Sequence, residues 1–467
     1  MIVRAKYEPS YCSNGRGYFG TIRVFFIVSS ISLNLWANPR TMTDLNRRKF
    51  IKSTAALSTL TIVSPGVAFG SKANSAIRMG IIGCGGRGTG VISTMSRNTN
   101  VQIVAMADLF RDKLDASKQR LDAVNKGKGF PEIAKSSTYV GSQAHMQLLE
   151  HRDVDAVLIS SPAYTHADFM VAATDAGMHV YCEKPVSPDV AGCRKMEKAG
   201  ERHDKKLSMT IGFQIRYATP YVQMVERIHR GDIGKILSAQ LYYLAGRIGV
   251  RDTPGKSYDE MRIRNQYLFH ALSGGTLLDQ SIHMIDVCNW ALQEHPRSAI
   301  GTGGVDESQT VGDTWKHFQV AYEYPSTNVM VQATQYGTEW GGVCARFIGT
   351  EGTAEAYYTG GVFISGKNAW DSGIVRCGDS EPTEEQRRTG AFLSSLYDAD
   401  KNKGSAFIQS IETGNYLNDT FSGVDSTLAA IMGREAAMSG EKVMWDNLRQ
   451  SSLRLDPRLN LSQFDPA

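Results

Sequence analysis

The sequence predicts a doubly wound α/β domain on a parallel sheet, followed by an α+β domain on a large, mostly antiparallel open sheet. Three observations carry this. From Ile77 to about Phe213, short apolar runs of strand length alternate with helical patterns. The first run enters Gly83, Gly85 and Gly88, spaced G-x-G-x-x-G, and a second strand then ends in Asp108, twenty residues past Gly88. Beyond Tyr217 the texture changes to runs of period two separated by turn residues.

The chain has 467 residues, enough for two domains with ample core. Its first 74 residues read as an N-terminal extension and export signal. Arg47-Arg48 begins a twin-arginine pattern, Ala55 to Val63 is apolar and small, and Ala68-Phe69-Gly70 suits processing. The stretch is too short and too broken by Ser and Thr to span a membrane stably. Met42 stands five residues before the arginine pair, so we read it as the natural start and 1–41 as an extension; Val24 to Trp36 as an apolar anchor is the rival reading. The first 70 residues hold nine Lys/Arg against two Asp/Glu, so a chain of net +4 leaves 71–467 at −3. There is no basic stripe for nucleic acid. The seven cysteines are dispersed and form no C-x-x-C, which argues against a disulfide framework and a metal site.

Residues 75–215 form the dinucleotide-binding half. Strands are expected at Ile77–Ile82, Val101–Ala107, Ala156–Ser160, His179–Cys182 and Leu207–Gly212, apolar enough to be buried on both faces. Ala144–Glu150 and Ala167–Ala176 read as helices, with Gly177 closing the second. Gly83 permits the tight turn, Gly85 lets backbone approach a pyrophosphate, and Gly88 lets the next helix pack closely. That helix directs its free N–H groups at the phosphates. A carboxylate at Asp108 accepts from an adenosine ribose and repels a 2′-phosphate, which favours NAD; Arg111 keeps NADP open.

Residues 216–460 form the second half. Pro220 to Gly231 reads as a helix and Leu237–Leu244 as a strand. His317–Tyr324 and Val329–Tyr336 form a hairpin through 325–328. Ala345–Ile348 and Ala354–Tyr358 flank Gly349-Thr350-Glu351-Gly352, whose glycines can supply positive φ. Gly378 to Arg388 reads as a polar loop, and Ser405–Thr413 and Ser426–Ser439 as closing helices.

Three clusters carry chemistry. Ser160-Ser161-Pro162-Ala163-Tyr164-Thr165-His166 follows a strand and so lies at the carboxyl edge of the sheet; His166 could cap the next helix instead. Glu183-Lys184-Pro185 follows another strand, and a lysine there can stabilise a developing alkoxide, although the tripeptide alone reads equally as a surface turn. In the third, Thr276 onward reads as a helix with Asp279, His283 and Asp286 on one face. An imidazole beside carboxylates suits a general base; a solvated ion pair is the plainer meaning of the same spacing.

The fingerprint, Ser-Pro-x-x-x-His, Glu-Lys-Pro and Gly-Gly-x-x-x-Asp-x-x-x-His-x-x-Asp, in this order, resemble the Gfo/Idh/MocA oxidoreductases over roughly residues 75 to 450. The resemblance implies that Lys184 bridges cofactor and substrate, that His283 transfers the proton, and that Asp279 partners it. It implies cofactor contacts at Gly83, Gly85, Gly86, Arg87, Gly88, Asp108, Ser161, His166, Glu183 and Lys184, and substrate contacts at Tyr164, Arg216, Tyr217 and Gln280. Gln280 departs from many members. Glu-Lys-Pro departs from the Glu-Val-Pro of the family's NAD-dependent glycosidases. The expected substrate is a sugar, polyol or glycoside, and the wide sheet suggests a homodimer or homotetramer. An enzyme exported to the periplasm meets no free nicotinamide pool, so it must hold and regenerate its NAD. Oxidoreduction ranks first, redox-neutral glycoside cleavage through transient C3 oxidation second, and a non-catalytic sugar or nucleotide sensor third.

Overall fold

The computed structural model describes residues 75–336, 341–374 and 394–466. The export signal and the loop expected at 378–388 lie outside the described residues. Among those described, no helix is long and apolar enough to cross a membrane.

The first sheet comprises β1 (Ile77–Ile82), β2 (Val101–Asp108), β3 (Thr138–Val140), β4 (Ala156–Ile159), β5 (His179–Cys182) and β6 (Met209–Ile211). All pairs are parallel, in the order β3-β2-β1-β4-β5-β6. The order reverses between β1 and β4, and the crevice beyond their carboxyl ends is where such sheets bind ligands. Helices α1 (Gly86–Asn98), α2 (Arg111–Gly127), α3 (Ala144–Leu149), α4 (Ala163–Asp175) and α5 (Val190–His203) connect the strands. Alternation along β1 sends Met79 and Ile81 into the core under α1 and α2, and Ile82 into the opposite core beside Leu148 and Val157. Strand β3 is three half-buried residues without an apolar run, so no sequence pattern announced it.

In the second half, α6 (Thr219–His229), β7 (Ile236–Leu244), α7 (Tyr258–Arg264) and α8 (Ile282–Leu292) precede a run of strands: β8 (Ser298–Gly304), β9 (His317–Glu323), β10 (Asn328–Thr334), β11 (Gly342–Gly349), β12 (Gly352–Tyr357), β13 (Val362–Gly366) and β14 (Trp370–Asp371). Then come α9 (Ala399–Thr413), α10 (Thr420–Ser439), β15 (Val443–Met444) and α11 (Trp445–Gln450). The sheet order is β14-β13-β12-β11-β7-β10-β9-β8-β15, antiparallel except where β10 runs parallel to β7. Helices α6, α8 and α10 cover one face. The other carries polar ladders such as Arg346 on Glu355.

Two features adjust the expectations. The glycines of the β11–β12 hairpin are not in the positive-φ region. They are needed for close approach: a Cβ at Gly349 would lie 2.1 Å from Ile233 O, and one at Gly352 2.6 Å from Ser365 O. Helix α9 returns to pack on α1, with Gly404 bringing the backbones together against Met95, so a segment beyond residue 215 completes the first layer.

Candidate active site

At the carboxyl edge of the first sheet lies a cavity of about 830 Å³ walled by both halves of the chain. The fingerprint forms its floor. Gly83 has φ +93°, and a Cβ there would lie 2.5 Å from Ser161 N. A Cβ on Gly88 would lie 2.5 Å from Gly83 O, so Gly88 serves the packing of α1 and does not line the cavity. Gly85 and Gly86 do line it, and a side chain on either would project into open space. Gly85 caps α1 without a side-chain bond, and the first intrahelical N–H to close on it is that of Thr89, at 3.0 Å. The preceding N–H groups and the positive end of the helix dipole are thus available to a pyrophosphate, which fits this cradle.

Asp108 closes the adenosine end. Its Oδ2 accepts from Cys84 N at 2.6 Å and its Oδ1 from Phe110 N at 2.8 Å. Burial raises its pKa, and these two N–H groups pull it back. Each oxygen keeps a lone pair for a ribose hydroxyl. Arg111 is exposed, 3.8 Å from Asp115, and does not line this cavity.

Arg87, expected among the cofactor contacts, lines the cavity and anchors its guanidinium on protein groups. It donates to Glu183 Oε1 at 3.0 Å, to Asp400 at 3.0 and 3.2 Å and to Gln214 Oε1 at 3.3 Å. Glu183 Oε1 also accepts from Tyr181. Lys403, fully buried, donates to Asp400 at 2.7 Å. The two cations hold the Asp400 carboxyl down at about 2 despite its burial. Thus Glu183 is fixed from below by a network that reaches into α9.

His166 lines the cavity, as expected, and also braces its wall. Its Nδ1 lies 2.7 Å from Pro185 O and its Nε2 2.8 Å from Ser161 O, tying the two edge loops together. Burial lowers its pKa, against the pull of these two carbonyls. Ser161, on the cavity wall, shares a 2.6 Å hydrogen bond with Thr165.

Lys184, Asp279, Gln280 and His283 line the same cavity. Lys184 follows β5, joined to Pro185 by a cis peptide. Its Nζ donates to the backbone carbonyl of Asp279 and stands 3.6 Å from Asp279 Oδ1. Residues Leu277–Ser281 form a π-helical turn leading into α8. Asp279 and His283 face the cavity without a hydrogen bond between them. Asp286 turns away to Arg216, at 2.9 Å, and Ser426, at 2.8 Å. The His283 ring lies 6.3 Å from Phe213 and 5.9 Å from Tyr358, among aromatic rings rather than carboxylates. Its buried Nδ1 has no hydrogen-bond partner among the described residues, nor has Gln280 Oε1. Burial, then the charges of Lys184, Arg87 and Lys403, push the imidazole pKa well below its ordinary value. The ring is neutral at pH 7 and can accept a proton.

The substrate contacts expected at Arg216 and Tyr217 are corrected. Arg216 forks onto buried Asp286, Tyr217 donates to Asp419 at 3.3 Å, and neither lines the cavity. They sit behind α8, where they tie it to the start of α10. Tyr164 does line the cavity, its phenol pushed up to about 12 by burial. So do Tyr243, Tyr358, Gln214 and the exposed ring of Tyr267, none of which the sequence reading singled out. Each sits in an ordinary strand or loop context, without a local motif to mark it.

Comparison with known proteins agrees with this geometry. A sequence model described as "Oxidoreductase family, NAD-binding Rossmann fold" matches residues 77–211, and one described as "GFO/IDH/MocA C-terminal domain" matches 221–355. Together they span more than half of the chain. Myo-inositol 2-dehydrogenase of Thermotoga maritima is 27% identical over 238 residues, which are 50% of this chain and 61% of that protein. The chain therefore spans about three fifths of that relative. Inositol 2-dehydrogenase of Rhizobium meliloti is 25% identical over 372 residues, 78% of this chain and 96% of that protein. Among solved structures, scyllo-inositol dehydrogenase from Lactobacillus casei with bound NAD(H) and scyllo-inositol superposes with a TM-score of 0.60 at 21% identity. That match covers 79% of this chain and 99% of that one, and shows a shared fold. The first domain is an NAD-binding Rossmann domain.

Proposed function

The chain belongs to the Gfo/Idh/MocA oxidoreductase family, and on that premise we propose that it is an exported, NAD-dependent oxidoreductase acting on a C–OH group of a sugar, polyol or glycoside. One observation carries the catalytic reading: Lys184, from the first sheet, and His283, from the second domain, line the cavity that also holds the glycine cradle and Asp108. Two distant chain segments thus present a cation and a neutral base to one small volume.

Bound in this cavity, NAD supplies the hydride acceptor. Lys184 Nζ donates to the substrate hydroxyl oxygen and offsets alkoxide charge as it forms. The His283 imidazole, kept neutral by burial, takes the hydroxyl proton. The Asp279 carboxylate holds the lysine in place and leaves lone pairs for a neighbouring hydroxyl. Tyr267 and Tyr164 offer aromatic faces to the carbon skeleton of a sugar ring. The inositol and sugar relatives support this substrate class. The twin-arginine pattern supports export, and the unbroken sheet face of Gln240, Tyr242, Arg346 and Glu355 supports a homodimer or homotetramer.

The test is a screen of sugars, polyols and aryl glycosides against NAD-loaded protein, following nicotinamide absorbance and released aglycone together. Reduction of NAD without aglycone supports the proposal. Aglycone release without net redox change moves the reading to the glycoside-cleaving alternative. Tight binding of a sugar with neither signal leaves a sensor.

A further inference from the structure

The cavity is closed at its adenosine end by chain from the second domain. After α11 the tail runs extended along the first domain: Ala191 N donates to Leu453 O at 3.1 Å, and Leu455 N to Asp189 Oδ2 at 2.8 Å. It then crosses α7, where Asn460 N donates to Asp259 Oδ2 at 2.9 Å, and Leu461 enters the cavity wall. Beyond it, Phe464 meets Phe110 edge-on with ring centroids 5.3 Å apart. Asp465 accepts from Ser142 N at 2.6 Å and Ser142 Oγ at 3.0 Å, in the loop after β3. Gly141 makes this seat possible: its φ is +109°, and a Cβ there would lie 2.8 Å from Asp465 Oδ1.

A second link lies alongside. Arg264 of α7 forks onto Asp112 of α2 at 2.8 and 2.9 Å and lies 4.2 Å from the centroid of the Phe110 ring. Leu109, Phe110 and Arg264 line both the main cavity and an outer hollow of about 900 Å³, which Phe464 and Pro466 also border. These shared side chains partition the adenosine end from solvent. Phe110 stands two residues past Asp108, where an adenine would lie.

We infer that segment 458–466, with Arg264, is a clasp that retains the dinucleotide: its adenosine half occupies a site built by both domains, and release requires the tail to undock. The inference rests on the NAD reading of the cavity. The clasp contacts are suited to opening. Asp112 is 61% exposed, and Asp465 is exposed. Undocking therefore breaks exposed hydrogen bonds at Asp465 and Asn460 and one aromatic contact, beside the single ion pair of Arg264, and leaves the core intact.

Stopped-flow release of NADH, chased with excess NAD, tests the clasp by fluorescence without any substrate. The combined F464A/D465N variant is expected to release NADH at least tenfold faster than the wild type, and D112N several-fold faster. ADP-ribose, its release timed by the NADH fluorescence gained as excess NADH replaces it, should show the same acceleration, because the clasp acts at the adenosine end. Equal release rates in wild type and variants would overturn the clasp while leaving the cofactor reading intact. A wild type that binds no dinucleotide at all would overturn both.

Discussion

Asp419 offers a test of the polar cluster behind α8, with a sign opposite to most substitutions of buried charge. The cluster has two carboxylates, Asp286 and Asp419, facing one guanidinium, Arg216, which is forked onto Asp286. Burial, with Asp286 nearby, raises the Asp419 carboxyl from 3.8 to about 6, against the pull of Arg216 and the Tyr217 hydroxyl. A folded-state pKa above the unfolded one favours folding fully below the unfolded value, and that advantage is lost as pH rises through about 6. Two pH units at 1.36 kcal/mol each amount to about 3 kcal/mol, and partial exposure of the carboxylate reduces the expected effect to about 1–2 kcal/mol. Asp419→Asn removes the surplus charge and can still accept from Tyr217; since the Asp419 side chain makes no capping bond to α10, none is lost. Equilibrium urea unfolding should therefore find D419N more stable than wild type by that amount at pH 8, with the gap closing towards pH 4. Because the cluster lies outside the cavity, KM for any substrate should not move. A variant no more stable than wild type at pH 8, or a gap independent of pH, would refute the electrostatic argument; an altered KM would return Arg216 and Tyr217 to the substrate site.

Other expectations follow from the cavity. His283→Ala should lower kcat by about 10²–10⁴ while NADH still binds by fluorescence titration, as loss of a general base requires. Because its imidazole is held below the ordinary pKa, the acid limb of the wild-type kcat/KM profile should fall below pH 6.5. Gly85→Val should fold normally, having nothing to strike within the protein, yet lose NAD affinity by calorimetry; retained affinity would remove the pyrophosphate from this cradle. Asp400→Asn takes three charge-assisted hydrogen bonds from Arg87 and Lys403 and should cost about 3–5 kcal/mol in urea unfolding at pH 7.

Much of this protein was legible in local pattern. Strand, glycine turn, helix, strand and acid follow one another within about thirty residues, because close packing and phosphate approach demand glycine at fixed steps. The edge-of-sheet position of Lys184 followed from the strand before it. What local pattern misjudged depended on what a helix meets. Regular helical spacing put Asp279, His283 and Asp286 on one face; the first two do line the cavity, but Arg216 and Ser426 claim the Asp286 carboxylate. His166 stands at the ligand edge as its place after a strand predicts, but that two carbonyls hold its ring was not visible in the sequence.

By itself, then, the sequence determined the succession of elements, the glycine cradle and the placing of Lys184 and His283 as candidates, since each rests on neighbours a few residues apart. Only the tertiary structure decided which charges are spent and which face the cavity. Arg87 meets Asp400 across 313 residues, His283 is stripped of water by Phe213 and Tyr358, and the tail reaches Ser142 across 323. Burial and long-range pairing set the protonation and direction of a side chain, and neither is encoded in its immediate surroundings along the chain.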